Sequence, residues 1–229
     1  MSDKLGHSDA HAPIVSKEMP GEWEILEIAT RELAIQKGLL TAQDHRRWLE
    51  WMDAATPALG AKLVARAWVD PEFKKRLLAD GTAACKEMGI FMYDGSIDTL
   101  KLIVTEDTPK VHHLIVCTLC SCYPRPVLGL PPDWYKSPSY RKRAVRWPRA
   151  LLAEFGTIIP DDVEIQVHDS NAAMRYLVLP LRPAGTEGWT EEQLATLATR
   201  DTMIGVALPH TSKPTKLVSM SPSAPTGGH

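Results

Sequence analysis

Three of the four cysteines in the chain, Cys117, Cys120 and Cys122, lie within six residues and are followed by Pro124. Side chains with this spacing cannot share one face of a helix or of a strand, so the segment must curl around whatever the sulfurs hold. Thiolates are soft ligands for transition metals, and proline restricts the backbone where the loop ends. The pattern therefore predicts a metal-binding loop.

The backbone of so tight a loop also approaches the metal, at the amides of Ser121 and Cys122. If both amides lose their protons, three sulfurs and two nitrogens carry enough negative charge to stabilise a trivalent ion and leave a sixth position open. Water or a small substrate could occupy that position.

A zinc site is the alternative interpretation, with Cys85, His112 or His113 as the fourth ligand. Zinc sites usually take ligand pairs from two separated knuckles, and the sequence shows one such group. Cys85 lies in an apolar helical pattern, which favours a packed core residue. His112 and His113 alternate on a predicted strand, where a core or surface position is the simpler interpretation.

The composition gives no electrostatic reason to expect binding to nucleic acid or to a membrane. Of the 229 residues, 44% are apolar and 24% charged, and the formal net charge is −2, which is ordinary for a soluble protein. Residues 1–20 lack the apolar run of a signal peptide, so a cytoplasmic location is expected. In a reducing compartment, clustered cysteines favour a metal site over disulfides.

The predicted organisation has four parts. Residues 1–20 form a disordered tail, residues 21–88 a helical arm, residues 89–208 an α/β metal-binding catalytic domain, and residues 209–229 a second disordered tail. In the arm, Gly38 ends one helix and Thr41 with Asp44 caps the next. Thr56-Pro57 and Asp70-Pro71 start two more helices. The arm is rich in Trp and Leu, so we expect part of it to wrap a partner subunit.

The domain begins where the apolar period changes from helical to alternating. Two strands, around residues 100–104 and 112–116, lead into the cysteine loop, and residues 163–167 and 175–181 are predicted as further strands. The prolines between residues 124 and 132 predict an extended, stiff path that lines a cleft. Ser137-Pro138 opens a helix, Trp147-Pro148 interrupts it, and Thr190 with Gln193 caps another.

Residues 116–124, Val-Cys-Thr-Leu-Cys-Ser-Cys-Tyr-Pro, resemble the metal-binding loop of the nitrile hydratase α subunit, in the cobalt-type form with Thr after the first Cys. The resemblance covers roughly residues 59–208. Separate segments that agree with it are residues 67–74, 127–132, 182–186 and 203–205.

The resemblance implies an α/β (α+β) globular domain with a helical N-terminal arm, and hydration of a nitrile to its amide. It implies one low-spin, non-corrin Co³⁺ per subunit, held by the sulfurs of Cys117, Cys120 and Cys122 and by the amide nitrogens of Ser121 and Cys122. It also implies that Cys120 is a sulfinate and Cys122 a sulfenate, with both taking part in catalysis.

The resemblance further implies partners. A β subunit, in a heterodimer or heterotetramer, would supply arginines to the oxidised cysteines. A metallochaperone or activator protein would insert the cobalt. A non-catalytic module that stores or delivers metal is a different interpretation, but a carrier would not need a stiff, lined cleft.

One departure from the family bears on the substrate. Arg125 stands where nitrile hydratases usually carry Trp, and we expect Arg125 and Tyr123 to line the substrate cleft. Arg125 also resembles the γ subunit of thiocyanate hydrolase in the same superfamily, as do residues 31–38, 146–148 and 169–171. A cation near the metal favours a small anion, so nitrile and thiocyanate both stay open as substrates.

Basic residues cluster after the proline-rich segment, at Arg141, Lys142, Arg143, Arg146 and Arg149. Such a run usually forms a helix face exposed to solvent. The more specific alternative is a contact with another subunit, because Arg is enriched at interfaces. Arg175 is predicted to form a structural ion pair.

Overall fold

A computed structural model of the chain describes residues 21–92, 100–120 and 122–211. The helices in these ranges are α1 Glu22–Gln36, α2 Ala42–Ala54, α3 Pro57–Val69, α4 Pro71–Ala79, α5 Gly81–Glu87, α6 Arg125–Leu128, α7 Asp133–Lys136, α8 Pro138–Arg146, α9 Pro148–Glu154, α10 Glu191–Ala195 and α11 Arg200–Ile204. The strands are β1 Lys101–Glu106, β2 Val111–Val116, β3 Glu164–Asp169 and β4 Met174–Leu179. The tail predicted at residues 1–20 and most of the tail predicted at 209–229 lie outside the described residues.

The predicted helix starts agree with the structure. Asp70 caps α4 by accepting a hydrogen bond from the N–H of Phe73 at 2.9 Å, and Pro71 occupies the first turn, where a missing N–H costs nothing. Thr41 and Asp44 exchange the reciprocal bonds of a capping box before α2. Ser137 likewise caps α8. Thr56 precedes α3 without forming a side-chain cap.

Contacts divide the chain into two compact units, one that ends at Glu50 and one that begins at Trp51. In the first unit, no residue of α1 is buried. Large apolar side chains along this helix are exposed, including Trp23 at 83%, Ile25 at 53% and Leu26 at 55%. Helix α1 therefore carries several large apolar side chains that are not buried within its own unit.

In the second unit, the strands form two small parallel sheets. Strand β1 pairs with β4, from Lys101 opposite Met174 to Glu106 opposite Leu179. Strand β2 pairs with β3, and its last residue, Val116, lies opposite Asp169. In β2 every residue after Val111 is buried, as expected for a parallel strand covered on both faces.

One hydrophobic core joins these strands to the helices of the second unit. Leu63 of α3, Phe73 of α4 and Cys85 of α5 pack in the same cluster as Leu102 and Leu114 of the strands. Cys85 is fully buried, which agrees with its predicted role as a core residue. The cluster runs across residue 88, where the sequence predicts the arm to end and the domain to begin.

The proline-rich segment after the cysteine loop differs from its prediction. It contains the short helices α6 and α7 instead of a fully extended path. Pro126 is the second residue of α6 and fits there, since the first-turn N–H groups of a helix have no intrahelical acceptor. Pro126, Val127 and Leu128 are buried, so burial stabilises a turn of helix too short to form alone.

The helices and parallel strands together give the predicted α/β (α+β) class. Within residues 21–92, 100–120 and 122–211, no helix combines the length and the apolar composition needed to cross a bilayer.

Candidate metal centre

The cysteine loop begins directly where β2 ends, as the sequence predicts. Cys117 follows Val116 and is fully buried, while Cys120 is exposed and Cys122 is partly buried. The metal-binding atoms therefore run from the core of the protein to its surface. An ion held there would be anchored at one side and accessible at the other.

The three sulfurs lie within 4.8 Å of one another. The Sγ atom of Cys120 is 3.5 Å from that of Cys117 and 3.3 Å from that of Cys122. Three soft donors gathered at one point suit a transition metal with thiolate affinity. Ser121, whose amide nitrogen is a predicted ligand, lies outside the described residues.

The loop is tied to the neighbouring strand through Thr118. Asp169, at the end of β3, accepts a hydrogen bond from the backbone N–H of Thr118 at 2.9 Å and another from its hydroxyl group. Because parallel strands end at the same edge of a sheet, β3 places this carboxylate beside the first turn of the loop. The carboxylate thus fixes the backbone between Cys117 and Cys120.

The hydroxyls of two buried tyrosines hold carbonyl groups on either side of the cluster. Tyr135 of α7 donates to the carbonyl oxygen of Cys122 at 2.8 Å. Tyr140 of α8 donates to the carbonyl oxygen of Ile115 at 2.6 Å. The first bond satisfies a carbonyl of the irregular loop, and the second satisfies one near the end of β2.

Two arginines bind the loop backbone as well. The guanidinium of Arg175 donates to the carbonyl oxygens of Tyr123, at 3.2 Å, and of Asn171. That of Arg141 donates to the carbonyl oxygen of Cys120 at 3.3 Å. These cations lie beside a cluster that becomes anionic when its thiols lose their protons.

Burial sets the protonation of the partly buried thiol. Burial, together with a hydrogen bond to Cys120, raises the pKa of Cys122 to about 12, while the nearby charge of Arg175 acts in the opposite direction. A metal ion binds the thiolate form and displaces this proton. Burial, with a smaller contribution from the charge of Asp80, raises the pKa of Cys85 to about 12, which makes that thiol unreactive.

The two predicted cleft residues follow the cluster directly. Arg125 is the first residue of α6, and its backbone N–H donates to the carbonyl oxygen of Tyr123 at 2.7 Å. The Nε atom of Arg125 and the hydroxyl of Tyr123 are buried, and neither has a hydrogen-bond partner among the described residues. The role of these two residues in lining a substrate cleft stays a prediction.

The candidate fourth ligands of a zinc site bond elsewhere. His112 uses Nδ1 toward Asp107, at 3.1 Å, and Nε2 toward the carbonyl oxygen of Gly205, at 2.7 Å. Nδ1 of His113 lies 2.8 Å from Nε2 of His168. Among the described residues, the metal-binding group consists of the three cysteines alone.

The groups that hold the loop were not predicted from the sequence. Asp169, Tyr135 and Tyr140 lie 13 to 51 residues from their partners along the chain, and no local pattern links them to the cysteines. In the sequence, Asp169 stands out only as part of the Asp169-Ser170-Asn171 segment, two residues after the strand predicted at 163–167. Without knowing which strand pairs with β2, this position does not place Asp169 beside the loop.

The fold and the site define a class of protein in which a metal-binding cysteine loop leaves the end of a buried parallel strand. Residues 21–207 match the family described as "Nitrile hydratase, alpha chain". The chain belongs to the nitrile hydratase α-chain family.

The similar proteins fall into two groups. The chain is 55% identical over 209 residues to the low-molecular weight cobalt-containing nitrile hydratase subunit alpha of Rhodococcus rhodochrous, covering 88% of this chain and 97% of that one. It is 52% identical over 205 residues to the thiocyanate hydrolase subunit gamma of Thiobacillus thioparus, covering 86% and 84%. A solved structure of recombinant thiocyanate hydrolase with partially modified cobalt centres aligns with a TM-score of 0.80 at 49% identity, covering 90% of this chain and 100% of that one.

Proposed function

We propose that this chain is the α subunit of a cobalt-dependent nitrile hydratase, which adds water to a carbon–nitrogen triple bond to give an amide. The observation that carries the proposal is the group of three thiols within 4.8 Å at the end of β2. The identity to cobalt-containing nitrile hydratase α subunits supports the metal and the reaction.

The ligands we propose are the sulfurs of Cys117, Cys120 and Cys122 and the amide nitrogens of Ser121 and Cys122. Their summed negative charge fits a trivalent ion, so cobalt is proposed as Co³⁺, one per chain. Bound there, it would supply Lewis acidity at its open position. We propose that Cys120 is oxidised to a sulfinate and Cys122 to a sulfenate, with both in the catalytic site.

The residues around the three cysteines would hold the loop in the conformation that binds the metal. Asp169 fixes Thr118, and Tyr135 fixes the carbonyl of Cys122, so the sulfurs meet the metal without reordering the loop. Arg175 donates a hydrogen bond to the carbonyl oxygen of Tyr123 and would hold the backbone where the loop ends. Arg125 and Tyr123 would line the cleft that admits the substrate.

We propose a β subunit as the main partner, in a heterodimer or heterotetramer, that supplies arginines to the oxidised cysteines. The exposed apolar side chains of α1 support a partner surface there, since an apolar helix face of this size is normally covered. An activator protein for cobalt insertion completes the proposal.

The second candidate function is that of the thiocyanate hydrolase γ subunit, with thiocyanate as substrate at the same metal site. Arg125 favours it, because the buried Nε atom lacks an acceptor among the described residues and would attract a small anion. The relative from Thiobacillus thioparus supports the same assignment.

Coexpression with the partner and activator proteins encoded beside this chain tests the proposal. Purified complex should contain about one cobalt per chain, resist chelators because low-spin Co³⁺ exchanges ligands slowly, and hydrate nitriles. Mass analysis of the cysteine peptide should show two added oxygens on Cys120 and one on Cys122. Zinc that a chelator removes quickly would refute the cobalt assignment, and hydrolysis of thiocyanate without nitrile hydration would select the second candidate.

A further inference from the structure

The five basic residues of and after α8 do not share one role. Arg143 forms an ion pair with Glu154. Arg149 donates to the carbonyl oxygens of Ile159, Pro160 and Val163 at 2.6 to 2.7 Å. These two side chains brace the protein internally. The other three, Arg141, Lys142 and Arg146, line one groove.

This groove, which we call the α8 groove, adjoins the metal loop. It has a volume of about 350 Å³, and its walls are Thr118, Pro138, Arg141, Lys142, Val145 and Arg146. No carboxylate is among these lining residues. Thr118 belongs to the cysteine loop, and Arg141 donates to the carbonyl of Cys120. Whatever occupies the groove therefore meets three positive charges next to the metal-binding segment.

Arg141, one of the lining residues, carries a buried donor that lacks an acceptor among the described residues. The Nε atom of Arg141 is buried and has no hydrogen-bond partner in the described part of the chain. Buried N–H groups are nearly always paired, because an unpaired one costs about 1–3 kcal/mol. Nor does any described carboxylate form an ion pair with Lys142 or Arg146. Three lining cations without a described carboxylate partner are complementary to an anion from outside these residues.

Exposed apolar side chains on α8 and beside it indicate that the anionic group belongs to a protein. Val145 is 53% exposed, and Trp147, directly after α8, is 55% exposed. Leu119 in the cysteine loop is 84% exposed. Apolar and aromatic groups mixed with arginine are typical of a protein interface. The groove has room for a few side chains at most, so the anion is a local feature of a larger contact.

We propose that the α8 groove receives one or two carboxylate side chains of the partner subunit. This inference rests on the proposed function only in requiring such a subunit. A carboxylate accepts two parallel bonds from a guanidinium, and the lining residues Arg141 and Arg146 each carry one. Because Arg141 also holds the carbonyl of Cys120, docking of the partner would help to fix the metal loop.

The test is the affinity of the assembled enzyme's subunits, measured for the wild-type chain and for the double variant Lys142→Glu/Arg146→Glu at low and high ionic strength. Neither residue is a proposed metal ligand. In the double variant, the two glutamates would face the partner's carboxylates, and this repulsion should weaken subunit association by about 10- to 100-fold at low salt. Added salt should reduce the difference in affinity between the variant and the wild type. The affinity of the neutral double variant Lys142→Gln/Arg146→Gln should lie between those of the wild type and the double Glu variant. Lys75→Glu, an exposed charge change on α4, is the matched control and should bind as wild type does.

The outcomes distinguish a failure of the α8 groove proposal from a failure of the proposed function. Unchanged affinity of the folded double variant, judged by circular dichroism, overturns the α8 groove proposal and leaves the proposed function intact. Unchanged affinity with reduced binding of inorganic phosphate would assign the groove to a free anion and also overturn it. A wild-type chain that binds no partner overturns both proposals.

Discussion

Asp169 accepts two hydrogen bonds from Thr118, one from its backbone N–H at 2.9 Å and one from its hydroxyl group. The two residues are 51 positions apart, yet the pairing of Val116 with Asp169 at the ends of β2 and β3 brings them together. The first turn of the cysteine loop is therefore fastened to the neighbouring strand. A side chain at the end of β3 thus positions the loop that follows β2.

Replacing this carboxylate should loosen the loop more than it destabilises the protein. Asp169→Ala removes both acceptors, and we expect a loss of about 1 kcal/mol, since both bonds are exposed. Cobalt should leave the variant enzyme faster in the presence of a chelator. Asp169→Asn retains one carbonyl acceptor and should give an intermediate rate. Cobalt content over time and thermal unfolding measure the two effects.

Asp162→Ala is the matched control for this prediction. Asp162 pairs with Lys110 at 2.7 Å, and both side chains are about 70% exposed, at 69% and 72%. Such a pair contributes about 0–1 kcal/mol, and it lies away from the cysteines. Equal chelator resistance of the Asp169 and Asp162 variants would show that Asp169 does not support the metal site.

The cysteines should separate into ligands and a core residue. Ser substitution at Cys117, Cys120 or Cys122 removes one of three clustered sulfurs, and each variant should retain almost no cobalt. Cys85→Ser places a hydroxyl in a fully buried site, which should cost on the order of 1–2 kcal/mol and leave about one cobalt per chain. Elemental analysis and melting temperature distinguish the outcomes. Full cobalt content in Cys120→Ser would contradict the proposed ligand set.

His112 makes a pH-dependent contribution to stability. Burial disfavours its charge, but the bonds to Asp107 and to the carbonyl of Gly205 outweigh burial and raise the pKa of His112. A raised pKa in the folded protein adds stability that is complete below about pH 6.5 and is lost as pH rises through the folded value. Removing the charged bonds by His112→Gln should cost about 1.5–3 kcal/mol at low pH.

The melting temperatures of wild type and His112→Gln, compared across this pH range, provide the measurement. The gap between them should shrink as pH rises above about 6.5. The pKa values of His113 and His168 are lowered, mainly by burial, so those residues reduce stability on acidification. Wild type and His112→Gln both contain His113 and His168, so the effects of these two residues largely cancel in the difference between the melting temperatures. A gap that is constant with pH would show that folding leaves the pKa of His112 unchanged, and a gap that shrinks on acidification would show that folding lowers it.

The local signals in the sequence account for much of this fold. Asp70-Pro71 marks a helix start because the cap and the proline act on adjacent residues. The run that ends at Val116 identifies a buried strand, and the cysteine spacing identifies the metal loop. Each of these features depends on interactions within a few residues.

The features that sequence reasoning missed depend on distant contacts. Nothing in β2 selects β3 as its neighbour over β1 or β4, so the carboxylate that fixes Thr118 could not be placed. Helix α6 is four residues long and is stabilised by the burial of Val127 and Leu128, which the local proline pattern does not reveal. Gly205 shows the same limit. With φ of +90°, a Cβ there would lie 2.0 Å from the carbonyl oxygen of His113, a constraint set 92 residues away.

Arg125 should decide which substrate the site prefers. It begins α6, three residues after Cys122, and its buried Nε–H lacks an acceptor among the described residues. A cation close to the metal attracts an anion such as thiocyanate and gains little with a neutral nitrile, for which an apolar wall is better. Arg125→Trp should therefore lower thiocyanate turnover relative to nitrile turnover, with a loss of about 1–3 kcal/mol in transition-state binding of the anion.

The measurement is the ratio of kcat/KM for thiocyanate to kcat/KM for a small nitrile, at fixed ionic strength. The expected loss corresponds to a fall in this ratio of roughly 5- to 150-fold. Arg125→Lys keeps the charge but not the planar fork of donors, so its ratio should lie between those of wild type and Arg125→Trp. If all three enzymes give the same ratio, Arg125 has a structural role, because a guanidinium that contacts the anion cannot be replaced by an indole without changing the preference.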